Sequence, residues 1–80
     1  MTHGTRAAER RREALLRAME QVPVPPPGSV VDPYEYYTRQ VVSIALVLLG
    51  VREEKATGLA ADFRGTTPAK RLEKILRRMG

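Results

Sequence analysis

LAADFRGTTPAKRLEKILRRMG, residues 59–80, carries the clearest structural signal in the chain. Thr67 stands at an N-cap position and Pro68 at the first helical position after it, and Ala69, Leu72, Ile75, Leu76 and Met79 follow at helical spacing. At about 100° per residue these side chains form one stripe. Lys70, Lys74 and Arg77 point to the opposite side, with Arg71 and Arg78 flanking them. The spacing predicts a helix with one apolar and one cationic face. Just upstream, Ala56, Leu59, Ala60 and Phe63 make a second i, i+3, i+4, i+7 stripe, and Arg64-Gly65-Thr66-Thr67 supplies a Gly-containing turn. The order expected is helix, tight turn, helix.

A helix-turn-helix buries the apolar stripes of both helices and leaves the outer face of the second free for a DNA major groove. The string L-A-x-x-F-R-G followed by A-K-R-L-x-x-I-L-x-x-M-G resembles the helix-turn-helix portion of winged-helix DNA-binding domains. It does so on Leu59, Ala60, Phe63, Gly65, Leu72, Ile75, Leu76 and Gly80. The resemblance covers residues 59–80, and the β-hairpin wing of that family would follow Gly80. In the commoner helix-turn-helix pattern, Ala61 and Gly65 match the small residue and the turn glycine, and Arg71 stands about where a buried aliphatic is expected. What the resemblance implies is DNA binding by the last helix.

Toward the N-terminus, Asp32-Pro33-Tyr34-Glu35 begins another helix, with Asp32 as cap, Pro33 at the first position and Glu35 completing a capping-box pattern. Gly50 ends it near Leu49, and Val51 is placed for the hydrophobic contact that accompanies such a glycine. Tyr34, Tyr37, Val41, Ile44, Ala45 and Leu48 form its primary face, but Val42, Leu46, Val47 and Leu49 make its second half apolar all round. A helix of that kind must be enclosed on several sides. Either the N-terminal helix folds back over it or a second copy of the chain covers it, so Val42, Leu46, Val47 and Leu49 are the candidate oligomer or partner interface, with a homodimer expected. Tyr34, Tyr36 and Tyr37 beside Arg39 could stack bases, but core packing of two tyrosines and an edge position for the third explain the spacing better. Val51–Thr57 is open to two readings. It belongs to the third helix together with Gly58, or Thr57 caps a shorter one.

Before Asp32, the prolines of PVPPPGSVV, residues 23–31, forbid helix and favour an extended strut with a loose joint at Gly28-Ser29. The first helix is thereby expected to be held away from the rest of the chain. That helix should run from Thr5, a possible cap, to about Gln21, with Met1–Gly4 disordered. Ala7, Ala8, Ala14, Leu15, Ala18, Met19 and Val22 share a side interrupted by Arg11, while Leu16 lies off its edge. Arg10, Arg11 and Arg12 are a candidate secondary basic arm for phosphate, or for an acidic membrane, or simply a solvated face. The organisation expected is therefore residues 1–22 as a basic helix or arm, 23–31 as a linker, and 32–80 as a three-helix module. The fold class is an all-α small helical bundle with a C-terminal helix-turn-helix-like pair.

Fourteen Lys and Arg against nine Asp and Glu give a formal charge of +5, which favours polyanionic partners. No cysteine is present, so disulfide and thiolate chemistry are excluded. The longest apolar run, Val41–Leu49, is far shorter than the roughly 20 residues of a membrane span, no signal peptide is visible, and a cytoplasmic location is the default expectation. His3, the only histidine, has no Cys or nearby carboxylate beside it, so no metal site and no catalytic set can be assembled, and no cofactor is implied. A non-enzymatic binding protein remains.

The expected function is a small nucleic-acid-binding regulator or accessory factor, with DNA favoured over RNA. Arg64, Thr66, Thr67, Lys70, Arg71, Lys74, Arg77 and Arg78 are its candidate contacts: the threonines and helix N-terminus for phosphate, the cations for base edges and backbone. The alternative is a non-catalytic helical protein-interaction subunit or inhibitor that uses the apolar second helix.

Overall fold

The computed structural model describes residues 2–80, with side chains from Arg6 onward. Among them the chain is all-helical, in the order α1 (Thr2–Gln21), α2 (Pro33–Leu48), α3 (Glu53–Leu59) and α4 (Pro68–Met79). Its radius of gyration is 12.6 Å. No helix among the described residues is long and apolar enough to cross a membrane.

The local signals around α2 and α4 act as their chemistry requires. Asp32 Oδ1 accepts the Glu35 backbone N–H at 3.1 Å, and Thr67 Oγ1 accepts that of Lys70 at 3.2 Å. Each cap is followed by its proline, whose missing N–H would have had no helical partner in any case. Thr67→Ala should lower stability by about 1 kcal/mol, read as a shift of the urea midpoint; Thr67→Ser should leave it nearly unchanged. α2 ends on Gly50 at φ 104°, with the Gly50 N–H bonded to Val47 O and the Val51 N–H to Leu46 O, both at 2.9 Å. These two bonds are the Schellman pattern, and the left-handed conformation at its centre is the reason for glycine there.

The core joins Ala14 and Ala18 of α1 and Val22 just after it, Val41, Val42, Ala45 and Leu46 of α2, Ala56 and Ala60 around α3, and Leu72 and Ile75 of α4. α2 lies at the centre and packs against each of the other three helices. The proline segment therefore does not hold α1 at a distance. Its chain reverses at Pro26–Ser29, where Pro26 O accepts both the Ser29 N–H at 3.1 Å and the Ser29 hydroxyl at 2.7 Å. α1 then lies on α2 and α4 and closes the same core. Fold-back of α1 was one of two ways to enclose α2, and it is the one observed. Val42 and Leu46, expected at a dimer or partner interface, are fully buried within the single chain, while Val47 is exposed and Leu49 half-buried.

One boundary and one helix face differ from the sequence reading, and the α3 boundary it left open takes one of its two forms. α1 begins at Thr2, so Thr5 is inside the helix rather than its cap, and Thr2–Gly4 are helical in backbone; Met1 and the His3 side chain lie outside the described residues. The buried face of α2 runs through Glu35, Thr38, Val41, Val42, Ala45 and Leu46, rotated from the predicted one, so that Tyr34 and Leu48 are exposed. Tyr36 is exposed too, leaving Tyr37 as the one tyrosine packed against the core. α3 takes the longer reading. It includes Gly58, and the Thr57 hydroxyl donates back to Glu53 O at 2.9 Å instead of capping.

Candidate nucleic-acid interface

α3 stops at Leu59, so the connection to α4 runs from Ala60 to Thr67 and is longer than the tight turn the sequence predicts. Within this connection Phe63 adopts φ 59°, a left-handed conformation that costs a bulky residue about 1–2 kcal/mol. Gly65 follows at φ 92°. Two features hold Phe63 there. Its ring packs against the core, and its carbonyl accepts the Thr66 hydroxyl at 2.6 Å and the Thr66 N–H at 3.3 Å. As a result α3 and α4 both lean on α2 rather than pressing closely on one another.

The connection is fastened from below by Arg71, which sequence reading placed among the cations facing nucleic acid. That placement is corrected by the structure. Arg71 is fully buried, and its guanidinium donates to both carboxylate oxygens of Glu35, at 2.7 and 2.8 Å, to Ala60 O at 3.0 Å and, through Nε, to Thr66 Oγ1 at 3.3 Å. The guanidinium thus makes four hydrogen bonds, all of them inside the protein. Glu35 is buried as well and serves α2 through its backbone N–H at the cap, while its carboxylate belongs to Arg71. The Arg71 hydrogen bonds hold the Glu35 carboxyl below its ordinary value of 4.5 against the opposing effect of burial, with Arg71, Arg64 and Arg39 adding favourable charge. The pair was missed because each residue has a local explanation. A signal existed, however: Glu35 and Thr38 continue the stripe of Val42 and Ala45, and Arg71 stands beside Leu72 one turn before Ile75, so complementary charges sit at core positions of two helices. Nearby, the buried Thr38 Oγ1 has no hydrogen-bond partner among the described residues.

The remaining candidate residues stay on the surface. Lys70 and Lys74 are exposed and form no ion pair among the described residues. Lys74 Nζ lies 5.6 Å from the centre of the Phe63 ring, and the Arg78 guanidinium lies 4.9 Å from it. Arg78 also pairs with Asp62, Arg77 with Glu73 at 3.0 Å, and Arg64 with Asp32 at 3.7 Å. These pairs are solvent-exposed, each worth about 0–1 kcal/mol, so phosphate can displace the carboxylates at little cost. Thr66 and Thr67 are engaged in holding the loop and capping α4. Arg10, Arg11 and Arg12 lie on α1, a separate element, and Arg12 and Arg11 approach Ala69 and Glu73 of α4 across a shallow groove. No group of three or more His, Cys, Asp or Glu among the described residues could hold a metal ion.

Compared with known proteins, the chain matches no family model, no curated protein and no solved structure.

Proposed function

We propose that this chain is a non-catalytic nucleic-acid-binding protein, a small regulator or accessory factor that prefers double-stranded DNA to RNA and reads it with the outer face of α4. One observation carries the proposal. α4 buries Arg71, Leu72 and Ile75 and presents Lys70, Lys74, Arg77 and Arg78 outward, with Lys70 and Lys74 unpaired among the described residues. A helix of 12 residues is about 18 Å long and enters a B-form major groove about 12 Å wide, whereas the A-form major groove is too narrow for it. Lys70 and Lys74 take phosphates directly. Arg64, Arg77 and Arg78 exchange exposed carboxylates for phosphate, while Thr66 and Thr67 set the angle of the helix N-terminus. Because the outer face holds Lys and Arg without Asn or Gln, backbone contacts dominate and sequence preference is modest.

Fluorescence anisotropy with a random DNA duplex, from about 50 to 200 mM salt, tests this reading. Log K is expected to fall linearly with log salt at about −0.9 per neutralised phosphate. Lys70→Glu with Lys74→Glu should flatten the slope by about two units, with the helical circular dichroism unchanged. Failure to bind at the low end of the series, or tighter binding to duplex RNA, would overturn it.

A further inference from the structure

Among the described side chains, the buried ones of α1 are Ala14 and Ala18 in its second half, followed by Val22 just past its end, while Arg6–Arg10 stand clear of the core. Beneath this first half lie the C-terminal ends of α2 and α4. Two adjoining depressions result, of about 200 and 230 Å³, which share Arg10 and Leu49. Their apolar parts come from Leu48, Leu49, Leu76 and Ala7, and Leu48 remains 44% exposed. Their α1 side carries Arg10, Arg11 and Arg17, against Glu13 as the one carboxylate. Arg10 and Arg11 form no ion pair among the described residues, and the Arg17–Glu13 contact, at 3.4 Å, is exposed.

We infer that this notch is a docking site for an amphipathic helix of a protein partner whose apolar stripe is bordered by carboxylates. The lining from Ala7 to Arg17 follows α1 for about 15 Å, close to three turns of a partner helix laid alongside. Arg10 and Arg17 are seven residues apart, about 10.5 Å along the axis, the spacing of two carboxylates at i and i+7 on such a helix. The partner's apolar side chains cover Leu48, Leu49 and Leu76, for which a nucleic acid backbone has no complement. A second copy of this chain is disfavoured by charge. A two-fold contact would set Arg10 and Arg17 against their own counterparts in a protein already at +5. The site is separate from the outer face of α4, so one chain can hold nucleic acid and an acidic partner together.

A synthetic 18-residue peptide with leucines at i, i+3, i+4 and i+7 and glutamates on both borders is the probe, with a scrambled peptide and a Glu→Lys version as controls. Calorimetry with the full chain should show binding of the acidic amphipathic peptide at least tenfold tighter than either control. Backbone amide shifts should concentrate at Ala7, Leu48, Leu49 and Leu76. Leu48→Asp and, separately, Arg17→Glu should each weaken the peptide about tenfold or more and leave duplex binding unchanged. Lys70→Glu with Lys74→Glu should do the reverse, so failure here is distinguishable from failure of the nucleic-acid reading. Equal binding of the scrambled peptide, shifts located elsewhere, displacement of the peptide by duplex DNA from the same amides, or self-association through Leu48 would each overturn the inference.

Discussion

Arg71→Ala is expected to destabilise the chain by about 3–5 kcal/mol, a large share of the roughly 4–12 kcal/mol available to a domain of this size. The cause is what the substitution leaves behind. Glu35 would keep a buried carboxylate without its bidentate partner, and Ala60 O and Thr66 Oγ1 would lose a donor. Glu35→Ala should cost a similar amount by stranding the guanidinium. Replacing both with methionine should cost far less than the sum, because a paired charge carries its own desolvation penalty into the core and an apolar pair does not. Urea unfolding of Arg71→Met, Glu35→Met and the double methionine variant forms the cycle that measures this. Additive losses would show that the two side chains do not act as one unit.

The same pair predicts a pH dependence. The Glu35 carboxyl is lowered in the folded state, so its contribution is complete above the ordinary value of 4.5 and is lost as pH falls through the lower folded value. Acid titration should therefore shift the urea midpoint downward below about pH 4.5. In Glu35→Gln, that part of the acid dependence should disappear.

Leu46→Asp is expected to prevent folding altogether. Leu46 is fully buried between α2 and its neighbours, where even alanine would cost about 2–5 kcal/mol through lost contacts and an unfilled cavity. An aspartate would add an unpaired buried charge. Far-UV circular dichroism should show the helical signal lost for Leu46→Asp, whereas Val47→Asp, on the exposed side of the same turn, should remain folded. A folded, monomeric Leu46→Asp chain would contradict the burial of Leu46 within the single chain. The contrast separates a core position from an interface position within one apolar run, which hydrophobicity alone does not do.

Much of the candidate interface could be read directly from residues 67–80, since Lys70, Lys74, Arg77 and Arg78 lie outward as their spacing requires. The loop before them could not. Ala56, Leu59, Ala60 and Phe63 have helical spacing, and Phe63 does pack against the core, but it arrives there through a left-handed break after α3 rather than along a continued helix. Two backbone routes can bring the same four side chains to one core. Periodicity does not distinguish them.

The four helices, the caps at Asp32 and Thr67, and the glycine stop at Gly50 are all written in the local sequence. Each depends on hydrogen bonds and side-chain spacings within a few residues, so the information lies next to where it acts. Packing in three dimensions settles three other matters: that α1 folds back past its prolines, that Val42 and Leu46 are core, and that Arg71 faces inward. The last of these rests on a hydrogen bond to Glu35, 36 positions away in the chain. An arginine on the border of an apolar stripe looks the same in sequence whether water or a buried carboxylate awaits it. The choice is made when α2 and α4 pack together and bring that carboxylate within 3 Å, where pairing offsets the cost of removing both charges from water.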